Sequence, residues 1–116
     1  MKLTLAAQMT DGILILHCSG RIVYGDESSL LRRTANKALS ENNRIVLNLG
    51  EVDYVDSTGL GTLVELHTSA HNAGSAIKFA RLTKFVSHLL QITKLLAVFD
   101  VHHSDSEAVE SFRKAA

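Results

Sequence analysis

The apolar residues of this chain change period along its length, and that change constrains the fold more than any other feature. Leu3 to Met9 and Ile13 to Ser19 read as strands flanking Thr10-Asp11-Gly12. Asp-Gly between apolar runs is a hairpin signal, because glycine accepts the positive φ of a tight turn. The second run is apolar on both faces (Ile13 and Ile15, Leu14 and Leu16), which predicts a central strand. After Gly25 and Asp26 the period lengthens, and Leu30, Leu31, Ala35, Ala38 and Leu39 recur at helical spacing. Asp26 and Glu27 suit a first turn, where negative charge meets the helix dipole. Asn42 and Asn43 end that helix, and Arg44 to Leu49 returns to a strand with Ile45, Leu47 and Leu49 on one face.

Gly50 to Val55 reads as a loop leading into a second helix over Ser57 to Ala73. Its apolar stripe is Leu60, Leu63, Val64, Leu66 and Ala70, with Glu65, Thr68 and Ser69 opposite and Gly74 as terminator. Ser75 to Ala80 is a short strand, and Thr83 caps a third helix carrying Phe85, Val86, Leu89 and Leu90. Val98 to Val101 is expected as an edge strand, and Ser104-Asp-Ser-Glu107 is a capping box opening a fourth helix through Phe112. The order β-β-α-β-α-β-α-β-α predicts an α/β fold in one domain over residues 1–116: a mixed sheet, opening hairpin plus parallel βα units, packed by about four helices.

Charge narrows the function. Lys plus Arg and Asp plus Glu each number 12, so the net charge is zero. Direct nucleic-acid binding, which needs a cationic excess to neutralise phosphates, is not expected. No stretch approaches the roughly 18 apolar residues of a membrane span, and the apolar start is too short for a signal peptide. The expectation is a cytoplasmic protein without membrane insertion. The single cysteine, Cys18, lies in an apolar run and reads as a buried thiol.

The informative stretch is Asp56-Ser57-Thr58-Gly59-Leu60-Gly61, entering a helix after the strand from Ile45. Asp56 or Ser57 is the N-cap, since a short oxygen-bearing side chain accepts from unpaired backbone N–H groups. Gly59 and Gly61 are poor helix formers, each costing up to ~1 kcal/mol relative to Ala. Either something approaches this end closely, or the glycines let the helix pack tightly on the sheet.

This string, in its strand-to-helix setting, resembles the signature of the STAS domain family, whose best-known members are anti-sigma-factor antagonists. The likeness extends over nearly the whole chain, including Gly20 and the region from Leu89 to Phe99. What it implies is a phosphorylation switch on Ser57. The partner is an anti-sigma factor that is also a serine kinase, with a histidine-kinase-like ATPase fold, and a PP2C-type phosphatase resets the cycle. Asp53, Asp56, Ser57, Thr58, Gly59, Thr62 and Glu65 form the expected docking site. Many antagonists carry an acidic residue a few positions after the glycine ending the second strand. Here Gly20 is followed by Arg21-Ile22-Val23-Tyr24, and the nearest acids are Asp26 and Glu27.

Rival chemistries are weaker. A nucleophile elbow needs glycine two residues before the serine, and that position is Val55. His67 and His71 are spaced like a metal pair, but no third ligand accompanies them, so a packed and a surface histidine are expected, and His102 and His103 are expected at the surface. Gly59-x-Gly61 lacks the third glycine and the lysine of a nucleotide loop. The reading is therefore a non-enzyme with no cofactor and no metal. The alternative is a STAS regulatory or scaffold subunit of a transporter or stress-signalling assembly, without a phosphorylation cycle.

Overall fold

A computed structural model describes residues 2–41 and 44–114. Its elements run β1 (Leu3–Thr10), β2 (Ile13–Ile22), α1 (Asp26–Ser40), β3 (Arg44–Val55), α2 (Ser57–Asn72), β4 (Ile77–Ala80), α3 (Lys84–Ile92), β5 (Asp100–His102) and α4 (Asp105–Lys114), with a 3-10 turn at Leu95–Ala97. The expected α/β architecture is present. The five strands lie in chain order across one sheet, with β1 antiparallel to β2 and every later pairing parallel. The ending of α1 at Asn42 and Asn43 lies outside the described residues.

Two layers cover the sheet. Leu31, Ala35 and Ala38 of α1, Leu63, Leu66 and Ala70 of α2, and Val86 and Leu90 of α3 share one core with Ile45, Leu47 and Leu49 of β3. On the other face, Ala108, Val109 and Phe112 of α4 pack on Ile13, Ile15 and Val46. Cys18 is buried, and burial pushes its thiol up to about 12, so it remains a protonated core side chain.

Three local expectations are corrected. Residues 50–55 are not a loop: β3 continues to Val55 and pairs with β2 through Ile22. Register shifts between His17 and Ser19 and between Gly20 and Arg21 put extra β3 residues opposite β2, which breaks the period-two pattern while Val52 and Val55 stay buried. The inward stripe of α2 is Gly59, Thr62, Leu63, Leu66 and Ala70, leaving Val64 exposed and Leu60 half-buried. The last strand begins at Asp100, because the 3-10 turn consumes the preceding residues and Val98 N donates to Leu95 O.

Candidate functional site

The site forms where β3 delivers its last residue to α2. Asp56 is the N-cap. Its Oδ1 accepts from Gly59 N at 2.7 Å and its Oδ2 from Tyr24 N at 3.0 Å, so one carboxylate ties the helix start to the segment after β2. Partial desolvation pushes the Asp56 pKa up. The backbone N–H groups of Tyr24, Gly59 and Thr58 outweigh that and hold it below the usual carboxylate value.

Ser57 follows as the first helical residue and is exposed, as is Thr58. The first intrahelical bond runs from Leu60 N to Asp56 O, so the N–H groups of Ser57 and Thr58 precede the helical ladder. No acidic residue occupies this first turn. The positive end of the α2 dipole therefore faces solvent beside the serine.

The two glycines have different causes. A Cβ at Gly59 would collide with the Ile22 carbonyl, so this glycine lets α2 sit against the end of β2. Gly61 is exposed, and a Cβ there would meet nothing within 4 Å. Internal packing accounts for the first glycine and not for the second. Ser57, Gly61 and Glu65 recur at a four-residue interval and so share a helical line, which leaves a low-relief strip beside the serine.

Of the residues expected at this site, Asp53, Ser57, Thr58 and Glu65 are exposed and Asp56 is half-buried. Gly59 and Thr62 are buried, so they act beneath the surface and not on it. Thr62 Oγ1 donates to Thr58 O and accepts from Arg32 Nη2, while Arg32 Nε meets Glu65 Oε2 at 3.0 Å. Arg32 thus ties α1 to the outer face of α2. Sequence reading did not find it, nor the aromatic surround: Tyr24 is 77% exposed, and Tyr54 packs at a tilt against Phe85 with centroids 5.2 Å apart and lies 6.0 Å from the Arg21 guanidinium. The sequence places Tyr54 two residues before Asp56, whereas Tyr24 reaches the motif only through the bond from its N–H to Asp56 Oδ2.

His67 is half-buried with its ring 5.4 Å from Phe99, and His71 and His103 are exposed. His102 is not simply at the surface: its Nε2 lies 2.7 Å from Asp100 Oδ1 and 3.3 Å from Ser111 Oγ. That Ser-His-Asp string is not a catalytic relay, because both partners meet the same ring nitrogen. Among the described residues, no histidine lies within hydrogen-bond reach of Ser57 and no group of three metal-ligating side chains occurs.

A strand-to-helix junction presenting a capped serine, on a five-stranded mixed sheet, defines the class. The chain belongs to the STAS domain family, whose model matches residues 4–108. It is 27% identical over 115 residues to BtrV of Bordetella bronchiseptica, named as an anti-sigma factor antagonist, covering 99% of this chain and 97% of that one. An anti-sigma factor antagonist from Mycobacterium paratuberculosis has the same fold, with a TM-score of 0.82 at 17% identity over 96% of this chain and 94% of that one. SpoIIAA, solved in unphosphorylated and phosphorylated forms, gives TM-scores of 0.73 and 0.72 at 13% identity, covering 95% and 94% of this chain and 98% and 99% of those. The fold also matches part of SLC26A9, with a TM-score of 0.76 at 15% identity over 100% of this chain and 24% of that one. No helix among the described residues is long and apolar enough to cross a membrane.

Proposed function

We propose that this chain is an anti-sigma-factor antagonist switched by phosphorylation of Ser57. The unphosphorylated form binds an anti-sigma serine kinase in the cytoplasm and frees the sigma factor. The kinase transfers the terminal phosphoryl group of ATP to Ser57 Oγ, with loss of the hydroxyl proton and release of ADP. The phosphorylated form then dissociates, and a PP2C-type phosphatase restores the hydroxyl. The chain itself performs no catalysis.

The observation that carries this reading is an exposed serine directly after the cap, in a first turn without carboxylates. A phosphate there meets the positive dipole end and the Ser57 N–H that precedes the helical ladder, so the fold tolerates it. The phosphorylated form of a fold neighbour is consistent with that tolerance. The interface does not tolerate it, because up to two added charges must be desolvated beside Asp56. A loss of ~2.7 kcal/mol weakens binding about 100-fold. The docking face comprises Asp53, Asp56, Ser57, Thr58 and Glu65 at the surface, with Gly59 and Thr62 setting the helix beneath.

The test is incubation with ATP and the candidate kinase, mapping of phosphate by mass spectrometry, and repetition with Ser57→Ala. Phosphate on Ser57 with release of the kinase supports the switch. A stable complex without phosphorylation supports the second reading, a regulatory or scaffold subunit of a transporter or signalling assembly, which the likeness to SLC26A9 favours.

A further inference from the structure

Among the described residues, five of the eight exposed large apolar side chains fall in one region: Tyr54, Phe85, Ile92, Leu96 and Val98. Core packing explains Val86 and Leu90, which are fully buried on the inner side of α3. It does not explain Phe85, 40% exposed, or Ile92, 61% exposed, on the outer side. Phe85, Leu89 and Ile92 follow helical spacing, and Tyr54 extends the stripe by packing its ring at a tilt against Phe85. A soluble surface with a contiguous apolar stripe of this kind is an interaction surface.

Charge specifies the occupant. Between Leu66 and Phe99 the sequence has no Asp or Glu, although the whole chain is neutral. Lys84 and Lys94 in that interval are exposed, and among the described residues neither forms an ion pair. Arg21 adds a cation at the Tyr54 end of the stripe.

We infer that the outer face of α3, with Tyr54, docks an acidic amphipathic helix of the partner kinase. This rests on the reading proposed above. The stripe also gives the switch a physical cause. Tyr54 lies three residues before Ser57 in the chain, so the stripe and the phosphoacceptor belong to one footprint. Phosphorylation adds about −1.5 to −2 charge where a carboxylate-rich partner is seated, and the two repel.

The experiment is calorimetric titration of the kinase into the full unphosphorylated chain and into Ile92→Asp and Lys84→Glu, at low and high salt. Circular dichroism and melting would verify each fold. Lys84→Glu places an acid in the first turn of α3, where the dipole favours it, so folding is retained. Ile92→Asp should weaken binding ~10-fold or more, and Lys84→Glu should weaken it several-fold and flatten the salt dependence. If the kinase binds and phosphorylates Ser57 with unchanged affinity for both α3 variants, this inference falls and the phosphorylation switch stands. If the kinase neither binds nor phosphorylates the chain, both fall. Binding of phosphatidylglycerol vesicles that depends on Ile92 and Lys84, with kinase affinity unaffected, would assign the face to a lipid surface and overturn the inference.

Discussion

Helices α2 and α4 begin with the same device and end up with opposite electrostatics. In α2 the cap is Asp56, bonded to Gly59 N; in α4 Ser104 Oγ accepts from Glu107 N at 3.1 Å. The residue after each cap is Ser57 in one and Asp105 in the other. Asp105 is already engaged, accepting from Asn48 Nδ2 at 2.9 Å and lying 3.8 Å from His17 Nε2. Glu107 reaches back to His103 N, so two carboxylates neutralise the start of α4. The start of α2 carries its one carboxylate in the cap and none in the turn. Comparing the two shows that a capped helix start is not by itself an anion-accepting site. The difference lies in which charges the first turn already holds.

The third helical position separates them further. Glu107 can reach back because α4 lies open at that point, whereas any side chain at Gly59 strikes the Ile22 carbonyl. Gly59→Ala should therefore destabilise the fold by about 3 kcal/mol, at the upper end for overpacking. Glu107→Ala should cost less than ~1 kcal/mol. Urea unfolding of both variants checks this, and equal losses would break the contrast.

Ser57→Asp makes the α2 start resemble that of α4. Partner affinity should fall about 100-fold. The fold itself should gain ~0.3–1 kcal/mol from charge at the dipole end. Calorimetry against the kinase reads the first effect and thermal melting the second; a large loss of stability would show that α2 cannot hold an anion.

Removing the caps should produce intermediate effects. Asp56→Ala should lose about 1–2 kcal/mol and Ser104→Ala about 1 kcal/mol. Only the first loss should depend on pH. The folded Asp56 pKa is lowered, so its contribution is present above the unfolded carboxylate value and is lost as pH falls through the folded one. The stability gap between wild type and Asp56→Asn should thus close below about pH 4 while the Ser104→Ala gap persists. A pH-independent Asp56 gap would remove the electrostatic part of the comparison.

The smallest effects lie on the outer strip. Gly61→Ala should stabilise α2 by up to ~1 kcal/mol, since its Cβ meets nothing. Glu65→Lys releases Arg32 and should change stability by less than ~1 kcal/mol, as expected for an exposed pair. Unchanged kinase affinity in both variants would exclude the strip from the docking face.

The sequence by itself determined the order of elements, the hairpin, the Thr83 and Ser104 caps, and a serine at the start of α2 with an oxygen-bearing cap. These depend on local periodicity and on side chains that satisfy backbone groups within one turn. Tertiary structure decided what depends on distant residues meeting. The extension of β3 to Val55 was hidden because its register shifts are defined only against β2. The inward turn of Gly59 and Thr62 follows from the Ile22 carbonyl and from Arg32, neither of which is near them in sequence. Tyr54 and Phe85 join only because α3 packs beside β3, where Thr83 Oγ1 donates to Val52 O at 2.7 Å. Short-range hydrogen bonding and side-chain period are written into neighbouring residues, whereas packing depends on which backbones approach each other, and that is set only when the sheet assembles.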